Sequence, residues 1–140
     1  MALRFHPKRG TIITCNFDQG VKAPEMVKRR PVVVLSPQIK GRQNLCTVVA
    51  LSTTEPDVVH DYHCKITPMR PYPAPFDAGT MWVKGDMVYA AGFHRLDLIR
   101  SGKDYHGKRQ YRTEVLPPNN MRRIEQCVLH GMGLGRLIAT

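Results

Sequence analysis

The sequence predicts a mainly β protein with a C-terminal helix, folded as a small, strongly bent β-barrel. Three observations carry this. Short runs rich in β-branched and aromatic residues recur through the first hundred positions, separated by glycine- and proline-rich stretches. Only one segment, about 119–130, spaces its apolar residues as a helix does. A chain of 140 residues supports one real core but not two comfortable ones, so residues 1–140 read as a single domain.

The elements follow in order. Thr11 to Phe17 (TIITCNF) reads as a strand with Ile13, Cys15 and Phe17 on one face. The next stretch, to Lys28, contains Gly20 and Pro24 and reads as a loop. Val32 to Leu35 is a continuous aliphatic run, the pattern of a strand buried on both faces, and Pro37 ends it. Cys46 to Ser52 is the third strand. Asp61 to Thr67 alternates, with Tyr62, Cys64 and Ile66 inward and His63, Lys65 and Thr67 outward. Four prolines within residues 68–75 exclude both helix and central strand, so about 68–80 is expected to be a stiff exposed loop. Strand character resumes over Trp82 to Tyr89, broken at Gly85, and again at His94 to Ile99. Met121, Ile124 and Val128 then recur at helical spacing, with Asn119 or Asn120 as the expected cap and Gly131 as the expected end.

Charge narrows the function. Lysine and arginine total 21 against 11 acids, a net charge of +10. Residues 1–43 carry nine cations and two acids, and residues 95–123 carry eight and three, while the stretch between them is slightly acidic. Two basic segments brought together by a fold make a surface that attracts phosphate backbones. No apolar run is long enough to span a bilayer, and the opening MALRFHPKRG lacks the apolar core of a secretory signal. A cytoplasmic protein is therefore expected. Its four scattered cysteines then read as small buried hydrophobes, not disulfides.

The stretch KRRPVVVLSP sets three cations directly before an aliphatic strand. Pro31 fixes its own φ and pushes Arg30 into an extended conformation. Arg30 is thus expected to be held rigidly at the barrel mouth, just outside the core. Its planar fork of donors suits a phosphate. Lys28 and Arg29 would add positive field more than geometry.

Several features together now resemble the PemK/MazF family of toxin endoribonucleases. They are Gly10-x-Ile12, Glu25 five residues before Arg30-Pro31, the run VVVLSP, and VVALST at Val48–Thr53. The likeness is dense over residues 8–54 and returns weakly at Lys84-Gly85-Asp86 and in the closing helix. It implies a compact SH3-like barrel that forms a homodimer, cleaves single-stranded RNA without a metal or other cofactor, and is held inactive by an antitoxin protein. It also implies that Arg30 and Thr53, with Ser52 beside it, are the principal catalytic residues. Lys84 and Asp86 fall on a basic-x-Asp triplet used by one branch. Lys84 stands where arginine is often found, without the bidentate fork. Glu25 falls on the glutamate before the R-P pair.

Metal-free cleavage needs a base for the 2′-hydroxyl proton, an acid for the leaving oxygen, and a cation for the phosphoryl charge. Arg30 suits the third role, and Thr53 or Ser52 can donate to the same oxygens. Asp86 or Glu25 can serve as base in a shielded site, and His94 is the alternative because imidazole titrates near neutrality. Lys28, Arg29, Lys84 and His94 are expected to contact RNA. His60 and His63-Cys64 resemble metal ligands, but on a strand residues 60 and 63 would face opposite ways, so no metal is expected. The glycines of GMGLGRL at 131–137 follow no strand and read as helix termination, not a phosphate cradle. Tyr72 and Phe76 are placed either to stack on unpaired bases or to dock a partner. The other functional class is a non-catalytic basic barrel that binds nucleic acid or a protein partner.

Overall fold

The computed structural model describes residues 2–18 and 28–138. Six strands form one antiparallel sheet: β1 (Ile12–Asn16), β2 (Arg29–Val34), β3 (Leu45–Ser52), β4 (His63–Ile66), β5 (Met81–Gly92) and β6 (Leu96–Leu98). Their order is β4-β5-β3-β2-β1-β6. A separate two-stranded ribbon, β7 (Arg100–Lys103) and β8 (Arg109–Tyr111), follows, and then helix α1 (Pro118–Gly131).

Strand β2 explains the architecture. Val32, Val33 and Val34 are all completely buried. Val33 joins one apolar cluster with Val49, Leu51, Val83 and the α1 residues Met121, Ile124 and Cys127. Val32 and Val34 join a second with Ile13, Cys15, Phe17, Val48 and Leu96. The sheet is therefore the middle of a layered core, with α1 on one face and the sheet's own curl on the other. The curl is visible where the Phe17 and Tyr89 rings pack with centroids 4.9 Å apart, although β2 and β3 lie between their strands. In its hydrogen bonding the sheet stays open, with β4 and β6 at its ends.

Strand β5 is kept in two halves by a bulge. Val49 faces Val88, but the next residue, Ala50, faces Lys84, so Gly85, Asp86 and Met87 are extra. Three extra residues reverse the alternation. Trp82 and Lys84 share the inner face of the curl with Ala50, and beyond the bulge it is Tyr89 and Ala91 that do so. Helix α1 crosses at this bulge. A Cβ on Gly85 would lie 2.3 Å from the Cys127 carbonyl oxygen, and one on Gly131 would lie 2.7 Å from the Gly85 oxygen. Only two glycines allow the backbones to touch this closely.

Several expectations need correction. Helix α1 starts with Pro118 at its first position, where a missing N–H costs nothing, and not with an Asn119 or Asn120 cap. Its end is a Schellman arrangement on Gly133 (φ +74°), with Gly133 N–H donating to His130 O and Leu134 N–H to Leu129 O. Gly131, the expected end, is the last helical residue and makes the contact with Gly85. The proline-rich loop is not wholly exposed. Tyr72 is buried in the core, and the Arg112 guanidinium stacks 3.8 Å from its ring while donating to the carbonyls of Pro71 and Arg70. Tyr72 is therefore unavailable to bases. The β7–β8 ribbon was not expected, because polar residues exposed on both sides show no alternation.

Candidate active site

Alternation along β2 sends consecutive arginines to opposite faces. Arg30 pairs with Cys15 and shares the inner face with Val32. The β2–β3 register sets Val32 opposite Ala50, and two residues further it brings Arg30 beside Ser52. On the other side of β3, Ser52 faces Trp82 and Ala50 faces Lys84. On β4, Lys65 faces Trp82 and His63 faces Lys84. One rim of the curl thus gathers Arg30, Ser52, Lys84, Lys65 and His63 on a single face. Trp82, nearly buried, supports them from the middle, with the Lys65 ammonium 5.6 Å from its ring.

The two hydroxyls at the end of β3 have different fates. Ser52 is buried, and its Oγ accepts from the Thr54 N–H at 3.1 Å and donates to the Thr54 carbonyl at 3.2 Å. That turn occupies Ser52. Thr53, at its apex, is exposed, so it is the hydroxyl of the two that is presented to solvent. Asp86 sits on the bulge and is exposed, so the fold does not give it the shielded setting expected of a carboxylate base. Glu25 lies outside the described residues.

His63 is the functional candidate that sequence reasoning missed. Burial, opposed by Asp86 and reinforced by His60 and Lys84, holds its imidazole below the usual histidine range. It is therefore neutral at pH 7, with its proton on Nε2, because Nδ1 accepts the His60 N–H. Its signal in the sequence was the alternation that set His63 and Lys65 on one side; which strand they would face was not legible. His60 and His63 do not face opposite ways, because β4 begins only at His63. The preceding turn folds His60 back, so that its N–H donates to His63 Nδ1 at 3.0 Å. Even so, the described residues contain no group of three or more potential metal ligands.

The remaining candidates lie elsewhere. Lys28 is exposed at the corner before β2 with φ +72°, its carbonyl accepting from the Phe17 N–H. Arg29 points to the opposite face from Arg30, where it pairs with Asp97 at 2.9 Å and donates to Thr14. His94 occupies the turn after β5, next to the end of β5 that pairs with Leu45, while the rim lies at the end that pairs with Ser52.

Known proteins resemble this chain in sequence and in fold. Residues 8–130 match the family described as PemK-like, MazF-like toxin of type II toxin-antitoxin system. The chain is 32% identical to YifN of Escherichia coli (strain K12) over 156 aligned positions, covering 99% of each chain. Among solved structures it resembles an endoribonuclease in complex with its cognate antitoxin from a mycobacterial species, with TM-score 0.59 and 19% identity over 92% of this chain and 97% of the other. It also resembles MazF of Deinococcus radiodurans, with TM-score 0.57 and 18% identity over 92% of this chain and 98% of that one. At such identities the structural likeness speaks for the fold.

Proposed function

The chain belongs to the PemK-like, MazF-like toxins of type II toxin–antitoxin systems, and on that premise we propose that it is an endoribonuclease that cuts single-stranded RNA without a metal. The observation that carries this reading is the rim on which Arg30, Lys84 and His63 share one face, with the exposed Thr53 following the end of β3. The endoribonuclease activity of the similar mycobacterial protein supports it.

In the reaction, the 2′-oxygen attacks the adjacent phosphorus while the bond to the 5′-oxygen breaks. The products are a 2′,3′-cyclic phosphate and a free 5′-hydroxyl. Arg30, always charged, binds the phosphoryl oxygens as negative charge builds on them. Thr53 donates to the same group. His63, neutral near pH 7, takes the 2′-proton at Nδ1 as that atom releases the His60 N–H, and the imidazolium returns a proton from Nε2 to the leaving 5′-oxygen. Lys84, Lys65 and Lys28 draw the RNA backbone to the rim. A positive rim also suits an acidic antitoxin segment laid across it, and a homodimer working in the cytoplasm completes the reading.

The test is incubation of the purified protein with single-stranded RNA in EDTA. Fragments ending in cyclic phosphate are expected, and Arg30→Ala is expected to slow their release about 10²–10³-fold, the equivalent of about 3–4 kcal/mol of barrier. Retarded but intact RNA would instead identify a non-catalytic binder.

A further inference from the structure

The sheet face opposite the rim holds a groove of about 630 Å³, between the proline-rich loop and the β7–β8 ribbon. Arg29, Arg100, Arg109, Tyr111 and Phe76 are among the residues that line it. The size is that of a small-ligand site, yet the lining is rich in cations and aromatic rings, its one carboxylate among the described residues, Asp97, being paired with Arg29. The two basic segments of the sequence meet here, since Arg29 comes from the first and Arg100 and Arg109 from the second. Among the described residues no carboxylate pairs with Arg100 or Arg109, and both are exposed.

The ribbon itself is unlike the rest of the fold. Every residue of β7 and β8 is exposed. Its tip is organised by Asp104, which accepts from the His106 and Lys108 N–H groups and from the Gln110 amide. Arg100 stands opposite Tyr111, so a cation and an aromatic ring are side by side at the groove. An exposed, hydrogen-bonded arm with cations beside aromatic rings is suited to an unpaired nucleic-acid strand, whose phosphates and base faces alternate.

We propose that this groove is a second binding site, for the unpaired nucleotides that flank the cleaved phosphate. Arg100 and Arg109 hold phosphates there, and Tyr111 and Phe76 stack under bases. The proposal rests on the ribonuclease reading. It adds that the substrate strand turns around the start of β2, from Arg30 on one face past the exposed Lys28 to Arg29 on the other. Because stacking accepts any base, the groove lengthens the footprint without narrowing the sequence recognised.

The test measures binding of a 5′-fluorescein, 2′-O-methyl 20-mer, which cannot be cleaved by 2′-oxygen attack, across a range of salt concentrations. Arg100→Ser/Arg109→Ser removes two phosphate contacts from an exposed ribbon. It is expected to lower the salt slope of log K by about 1.4, or roughly twenty-fold in affinity at 0.1 M salt. Tyr111→Ala is expected to weaken binding about five-fold or more. Lys8→Ser/Lys40→Ser removes the same charge elsewhere, and a loss equal to that of the arginine pair would overturn the groove in favour of net charge. Unchanged affinity in the arginine variant would also overturn it, as would loss of a dimer by light scattering, which would make the groove a face between copies. The two readings fail separately. Cleavage by the wild type with unchanged binding by the arginine variant sinks the groove alone. Absent cleavage with weakened binding sinks the nuclease alone, and a wild type that does not bind the 20-mer sinks both.

Discussion

The contact between Gly85 and helix α1 sets a testable limit on the fold. In Gly85→Ala the new methyl carbon would start 2.3 Å from the Cys127 oxygen and 2.4 Å from its carbonyl carbon. Both are helix backbone atoms, so no side chain can swing aside. The gap must open from 2.3 Å to at least 3.0 Å. The helix can only retreat as a body, which loosens Met121, Ile124 and Cys127 in the core beneath it. Overpacking of this kind costs about 3 kcal/mol, and for a domain of this size that lowers the melting temperature by about 10 °C. The assay is thermal unfolding followed by circular dichroism. Gly41→Ala is the comparison, because nothing lies within 4 Å of its Cβ position and only its φ of +83° opposes the change, at about 1 kcal/mol. If Gly85→Ala melts as close to the wild type as Gly41→Ala does, the backbone contact is not what holds the helix.

Further outcomes follow from the same geometry. Arg112→Ala removes the guanidinium that ties the proline-rich loop to the body through Tyr72, Pro71 and Arg70; a loss of about 2 kcal/mol and new proteolytic cuts within residues 68–76 are expected, and an uncut loop would refute the tie. At pH 8, iodoacetamide should reach Cys64 first, because a hydrogen bond from Cys127 lowers its pKa, whereas burial pushes Cys15 up to about 11 and raises Cys46 as well; equal labelling of the four thiols would contradict this. The same shift makes Cys15 a source of alkaline instability: its contribution is intact below about pH 9 and is lost as pH rises toward 11, so Cys15→Ala should flatten the fall in stability over that window. His63 has a depressed pKa, so RNA cleavage should fall only below about pH 6.5, as its imidazole gains a proton, and His63→Gln should remove that limb of the profile. A profile unchanged by His63→Gln would exclude it as the base.

Much of this was legible in the residues themselves. The unbroken run VVVL could only be a strand covered on both sides, and the arginines before Pro31 marked where it leaves the core. The break at Gly85 was also readable, although its cause, a helix backbone from far along the chain, was not. What escaped were consequences of pairing. His63 looked like one outward residue of an ordinary strand until the register set it opposite Lys84. Arg29 looked like a looser copy of Arg30; extending β2 back to Arg29, where it pairs with Asn16, turns it to the other face. The ribbon escaped because it is held by backbone bonds and an aspartate-centred turn, with no apolar face to leave a period in the sequence.

The three surplus residues of β5 have a consequence for how this chain tolerates change in length. The pleat counts in twos, so removing or adding a single residue among Gly85, Asp86 and Met87 would put the strand's two halves out of phase. Either Trp82 and Lys84 would swing away from the rim, or Tyr89 and Ala91 would be expelled from the core. Length changes in steps of two escape this penalty, so related chains that keep both the rim and the core should differ here by even numbers of residues.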